Sequence, residues 1–232
     1  MRSSIDLKDR ILFEDNHLII VNKLPGELVQ GDKTGDHTLA DSVKEYIRRE
    51  SAKPGNVYLG IPHRLDRPVS GLVIYTKTSK ALSRMSEIFR SKTISKEYWA
   101  VTEKPPKASK GTLTNFLAKN EKQNKSYVVD ESQKGAKSST LHYNVLSKSD
   151  RYTLIGVSLE TGRHHQIRAQ LSNMGSIIKG DLKYGAKRSN PDGSINLHSR
   201  STSFIHPVQQ TEINITAPCP NESLWQFFEG SV

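Results

Sequence analysis

The sequence predicts an α+β fold, a mixed and largely antiparallel sheet with flanking helices. Three observations lead there. Short apolar runs follow one another with only turns between them, at residues 11–22 and again at 141–146 and 152–159. Two stretches place apolar side chains at helical spacing: Leu39, Val43, Tyr46 and Ile47, then Ala81, Leu82, Met85, Ile88 and Phe89. No internal repeat or long linker divides the 232 residues, so residues 11–232 read as one domain behind an N-terminal extension, residues 1–10.

Each element has a local reason. Residues 11–22 read as two strands about an Asp15-Asn16 turn, and Pro25-Gly26 breaks the second. Thr38 is placed to cap the first helix, which exits through a turn-rich Ser51–Asn56. Gly71–Thr76 is apolar and β-branched, hence a buried strand. Ser79 is the expected cap of the second helix, and Lys96–Val101 is the next strand. Residues 119–139 are polar around Tyr127-Val128-Val129 and read as an exposed hairpin or loop. Leu141–Leu146 and Tyr152–Leu159 alternate like half-buried strands. Gln166–Asn173 is a short helix ending near Gly175; Ile213–Ile215 is a strand and Leu224–Phe228 a helical turn.

Composition narrows the function classes. The single cysteine, Cys219, excludes an intrachain disulfide framework and a thiolate zinc cage, and suits a reducing compartment. No apolar run approaches the roughly 20 residues that span a bilayer, and the N-terminus lacks the apolar core of a signal peptide. A cytoplasmic, soluble protein is expected. The formal charge of +10 is uneven: 0 over residues 1–76, +8 over 77–137, +4 over 160–200 and −3 over 201–232. One positive face suits a polyanion such as a nucleic acid, because contacts to phosphates release counterions, and a solvated lysine-rich surface is the equal alternative on charge alone.

Two segments could carry chemistry. In His63-Arg64-Leu65-Asp66-Arg67-Pro68, flanking cations favour the charged form of Asp66, which could act as nucleophile or general base. An isolated Arg-x-Asp is more often a salt-bridged loop residue. In Thr161-Gly162-Arg163-His164-His165-Gln166-Ile167-Arg168 a strand turns at glycine into a helix start, where backbone N–H groups and two arginines favour an anion. His164 and His165 lack partners at metal-ligand spacing, so no metal is expected. Lys96-x-Tyr98-x-Ala100 reads alone as ordinary strand, Gly180-Asp181-x-x-Tyr184-Gly185 as a turn, and Leu197-His198 with Phe204-x-His206-Pro207 as core and turn.

Together, in this order and spacing, these pieces resemble the RluA family of RNA pseudouridine synthases, from Ile11 to the C-terminus. Val69, Leu24, Gln30 and Ser199 depart from that family's usual pattern and bear on substrate fit. With ten residues before Ile11, no N-terminal S4 domain is expected, so the catalytic domain would hold the RNA itself. The resemblance implies a pseudouridine synthase fold with a central active-site cleft and isomerisation of uridine to pseudouridine in rRNA or tRNA by a base-flipping isomerase. Atoms are conserved in that reaction, so it implies no cofactor, metal or energy source. It makes Asp66 the catalytic carboxylate, as nucleophile or on a glycal route. Arg168 would pair with Asp66. Tyr98 would pack on the uracil, and could serve as base only if tuned, since a phenol is weakly basic near neutral pH. Ile167 would line the base pocket. Arg64 would fill the place of the flipped base, with Arg67, Arg163 and His165 on the RNA. A monomer that needs no protein partner is expected. Two other readings stay open: a catalytically silent RNA-binding or ribosome-assembly factor on this fold, and a glycosylase that releases the base.

Overall fold

A computed structural model describes residues 6–32, 34–51 and 55–232. Met1–Ile5 and residues 52–54 of the Ser51–Asn56 turn lie outside the described residues. The chain divides into two compact units: residues 1–94 with 200–218, and residues 95–199 with 219–232.

The first unit is a sheet faced by a helix on each side. β1 (Ile11–Glu14), β2 (Leu18–Lys23) and β3 (Ser70–Thr76) pair antiparallel in that order. The β1–β2 turn is closed by Asp15, whose Oδ1 accepts from the backbone N–H groups of His17 and Leu18 at 2.8 and 2.7 Å. Strand side chains alternate in direction, so one set, Ile19, Val21, Val73 and Tyr75, packs with Leu39, Val43 and Ile47 of α1 (Leu39–Ser51). The alternate set, Leu18, Ile20, Leu72 and Ile74, packs with Ala81 and Met85 of α2 (Ser79–Arg90). Two covered faces explain why all seven residues of β3 are buried.

Thr38 and Asp41 cap α1 reciprocally. Thr38 Oγ1 accepts from Asp41 N–H at 3.2 Å, and Asp41 Oδ2 accepts from Thr38 N–H at 3.0 Å. Thr38 Oγ1 also donates to Asp41 Oδ2 at 2.7 Å, and this bond, with the one from Thr38 N–H, holds the Asp41 carboxyl below its usual range. The cap of α2 is Thr78 rather than the expected Ser79: its side chain accepts from Ala81 N–H, leaving Ser79 as the first helical residue.

The second unit carries an antiparallel ladder of β4 (Ser95–Thr102), β8 (Thr153–Leu159), β7 (Lys137–Lys148), β5 (Lys110–Asn120) and β6 (Lys125–Val129), in that spatial order. The expected hairpin is therefore β5–β6, turning at residues 121–124. α3 (Gln166–Met174) sets Ala169 against Leu117 of β5, with Val128 and Tyr184. On β4, Trp99 and Val101 join Leu154 and the Trp225 and Phe228 side chains of α4 (Ser223–Glu229). Tyr98 belongs to the opposite set of β4 side chains.

Three expectations are corrected or extended. β8 is buried on both faces from Thr153 to Val157 instead of alternating. β5 begins at Lys110, in a stretch with no apolar run to announce it. Leu197–Ile205 forms one strand, β9, rather than separate core and turn pieces; the division between units falls within it, and in the first unit it pairs antiparallel with β10 (Glu212–Thr216). Among the described residues, no helix is long and apolar enough to cross a membrane.

Candidate active site

Asp66 lies on the segment that enters β3. Its carbonyl accepts from Val69 N–H at 3.0 Å, closing a tight turn over Arg67 and Pro68. Upstream, Gly60 bridges Thr76, and His63 Nε2 accepts from Ile74 N–H at 2.8 Å. An imidazole nitrogen that accepts carries its lone pair, so His63 is neutral in this arrangement with its proton on Nδ1. Its ring stacks on Phe89 of α2 at 4.7 Å.

Beneath the turn lies Lys23, at the end of β2 and 0% exposed. Its Nζ donates to the carbonyls of Leu24, Arg67 and Val69 at 2.9, 3.1 and 2.7 Å. Arg67 O also accepts from Gly26 N–H at 2.7 Å. Lys23 pairs in register with Gly71, whose φ of 110° is a conformation that favours glycine. Burial pushes the Lys23 ammonium down to about 7, against the opposing pull of the Glu27 and Asp66 charges. The residues around Asp66 are thus held mainly through main-chain carbonyls.

The two arginines of this turn differ. Arg67 is tied down, with Nε to Gly26 O at 3.0 Å and Nη1 to Asp36 Oδ2 at 2.8 Å. Arg64 is exposed, and among the described residues its side chain makes no hydrogen bond or ion pair.

In the second unit, Arg168 on α3 is 5% exposed and Asp181 is 1% exposed. They meet in a bidentate ion pair, Nε–Oδ2 at 2.7 Å and Nη2–Oδ1 at 2.8 Å. Arg168 Nη1 lies 3.0 Å from His165 Nε2, and His165 Nδ1 lies 3.0 Å from the Tyr184 hydroxyl. That hydroxyl donates to Ser126 O and accepts from Ser126 N–H, each at 3.0 Å. Its one proton being used, His165 must donate from Nδ1 and accept at Nε2. His165 is therefore a neutral connector between Arg168 and Tyr184, 9% exposed. It heads α3 at φ 53°, a left-handed conformation that costs a non-glycine residue about 1 kcal/mol.

The start of α3 is fastened to β7. Gln166 Oε1 accepts from Thr161 Oγ1 and Arg163 N–H at 2.8 and 2.9 Å, and its Nε2 donates to Thr140 O at 3.1 Å. Arg163 Nε donates to Ser138 O at 3.1 Å. Ile167 and Tyr98 are 5% and 8% exposed. Among the described residues, no group of three His, Cys, Asp or Glu side chains is placed to hold a metal ion.

Thus Arg64, Asp66 and Arg67 share one turn, and Arg163, His165, Ile167 and Arg168 share one helix start, with Tyr98 on β4. Sequence reading missed Lys23 and Asp181 as structural partners of these groups. Their signals were a lysine ending the apolar run Leu18–Val21 and an aspartate inside the Gly180–Gly185 turn.

Known proteins are similar to this chain. The family described as RNA pseudouridylate synthase matches residues 17–173. The chain is 34% identical over 225 residues to ribosomal large subunit pseudouridine synthase C of Buchnera aphidicola subsp. Baizongia pistaciae, covering 94% of this chain and 69% of that protein. It is 28% identical over 227 residues to ribosomal large subunit pseudouridine synthase D of Zymomonas mobilis, covering 94% and 71%. In fold, it resembles human RNA pseudouridylate synthase domain containing 4, with a TM-score of 0.78 at 24% identity over 97% of this chain and 92% of that one. With the RluA-type motifs in place on this fold, the chain belongs to the RNA pseudouridylate synthase family and is an RNA pseudouridine synthase, an isomerase that acts on RNA.

Proposed function

We propose that the chain isomerises uridine in ribosomal RNA, with Asp66 as its catalytic carboxylate. The reading rests on one observation: the family match over residues 17–173 takes in Asp66, Tyr98 and Arg168 together. Several relatives are named for ribosomal large subunit modification, which favours rRNA over tRNA.

The chemistry follows from the groups present. Asp66 adds at C1′ of the target nucleotide, or removes a ribose proton on a glycal route. In both, the N1–C1′ bond breaks, the uracil turns, C5 bonds to C1′ and the C5 proton leaves. Tyr98 packs against the uracil, Ile167 lines the base pocket and Arg168 supplies a fixed cation. Uridine leaves its stack first, which costs a few kcal/mol and least in loops. Arg64, unconstrained by any partner among the described residues, moves into the vacated place, its guanidinium plane stacking as a base does. Arg67 and Arg163 meet flanking phosphates, after exchanging their present partners. His165 acts on the RNA only through Arg168, whose position it sets. The protein works as a cytoplasmic monomer without a protein partner.

The test is product analysis. Ribosomal RNA lacking modifications is incubated with the protein, digested and chromatographed, and pseudouridine is expected at unchanged RNA mass. Free uracil would indicate a glycosylase, and RNA bound without product would indicate a silent binding factor; either refutes the reading.

A further inference from the structure

The second unit contains an open cavity of about 410 Å³ that the reaction above does not use. Arg151, Lys179, Lys187 and Arg188 line it, with Tyr152, and Glu103 is the one acid in its wall. We propose that this cleft seats a phosphodiester of the RNA strand flanking the target uridine. The proposal rests on the chain acting on RNA and deepens that reading.

Of the four cations, Lys179 is built into the wall. Its backbone is fixed on both sides: its N–H donates to Val101 O, and its carbonyl accepts from Asn196 N–H, each at 2.9 Å. Its Nζ donates to Asn190 Oδ1 at 2.5 Å and Asn196 Oδ1 at 3.3 Å. Asn190 is itself oriented, its Nδ2 donating to Ser194 Oγ at 3.1 Å and Asn196 Oδ1 at 2.8 Å. The partners of this ammonium are uncharged, two amides and the Tyr152 ring, whose centroid lies 5.9 Å from Nζ. They aim it and leave its charge and its third N–H for an anion.

The wall behind it is closely built. Gly180 has φ 85°, and a Cβ there would meet Ser194 O at 2.8 Å and Asn190 Nδ2 at 2.9 Å, so only glycine brings these strands of loop together. Arg151, Lys187 and Arg188 are exposed at the rim, and the lining carries four cations to one acid. Such a concave wall of one sign concentrates a polyanion, and guanidinium forks suit phosphate oxygens. The same segment that presents Lys179 presents Asp181, the partner of Arg168, two residues later.

The test reads binding alone, by fluorescence anisotropy with a labelled single-stranded oligouridylate as the probe, on the full chain. Arg151→Gln, Lys187→Gln and Arg188→Gln combined should weaken binding roughly tenfold and flatten the salt dependence by about 0.7 in log–log slope, the value of one lost phosphate contact to a single strand. Glu103→Gln should strengthen binding by about twofold, because it removes the opposing charge. Unchanged affinity and slope in the triple variant overturns the proposal. So does loss of polyglutamate binding with oligouridylate binding intact, which would assign the cleft to an acidic protein. Binding is read without turnover. A chain that needs the cleft to hold RNA yet makes no pseudouridine would refute the functional reading and leave the cleft standing.

Discussion

The segment carrying Asp66 and the segment carrying Arg168 are anchored in opposite ways. Around Asp66 the anchor is main chain: one buried ammonium, Lys23, gathers the carbonyls of Leu24, Arg67 and Val69. Around Arg168 the anchor is side chain: a bidentate buried ion pair with Asp181, continued through His165 to Tyr184. Carbonyl anchoring fixes the main chain of the turn through Lys23 and does not itself draw on the Asp66 side chain. Ion-pair anchoring fixes a guanidinium plane to within the tolerance of two parallel hydrogen bonds, as a positioning cation requires. The cost of error also differs, since an unpaired buried charge is worse than an unpaired buried carbonyl.

The largest effect expected tests chemistry apart from scaffold. Asp66→Ala should lower pseudouridine formation by about a thousandfold or more, since a group acting directly on the reacting atoms is lost. Because the scaffold there is backbone, the variant should fold normally and bind RNA; near wild-type product formation would end the assignment of Asp66.

Next comes Asp181→Ala, which strands Arg168 as a buried charge and should cost about 3–5 kcal/mol in urea unfolding. A loss below ~1 kcal/mol would mean that the pair is not the anchor described.

Lys23→Met should cost less, about 2 kcal/mol, by leaving carbonyls unsatisfied. It also has a pH signature. The Lys23 ammonium sits at about 7 in the fold against 10.5 when free. Between those values the unfolded chain binds the extra proton, so this group makes stability rise with pH across that window. The rise should vanish in Lys23→Met, and an unaltered pH profile would contradict burial of the ammonium.

The smallest effects separate the two arginines of the Asp66 turn. Arg67→Ala breaks an exposed pair with Asp36 and should cost at most about 1 kcal/mol. Arg64→Ala should leave stability unchanged yet slow single-turnover product formation by about tenfold, the value of one stacking contact to a nucleic acid. Unchanged single-turnover kinetics would remove Arg64 from the flipping step.

Much of this was legible in the residues alone. Strand and helix periods are local, so β1–β3, α1 and α2 announce themselves through their own side chains. The motif order around Asp66, Tyr98 and Arg168 is likewise a property of the chain, and so is the clustering of positive charge that suits RNA. The tertiary structure decided what depends on distant partners. β5 and β9 are rich in Lys, Ser, Thr and Asn, and become strands through ladders with β7 and β10. His165 reads as a surface ligand until Tyr184 and Arg168 close on it. Lys23 and Asp181 look like a strand end and a turn, yet each is buried against groups far along the chain. Periodicity is set by neighbours in sequence, whereas the burial of a charge is set by whatever the fold brings around it.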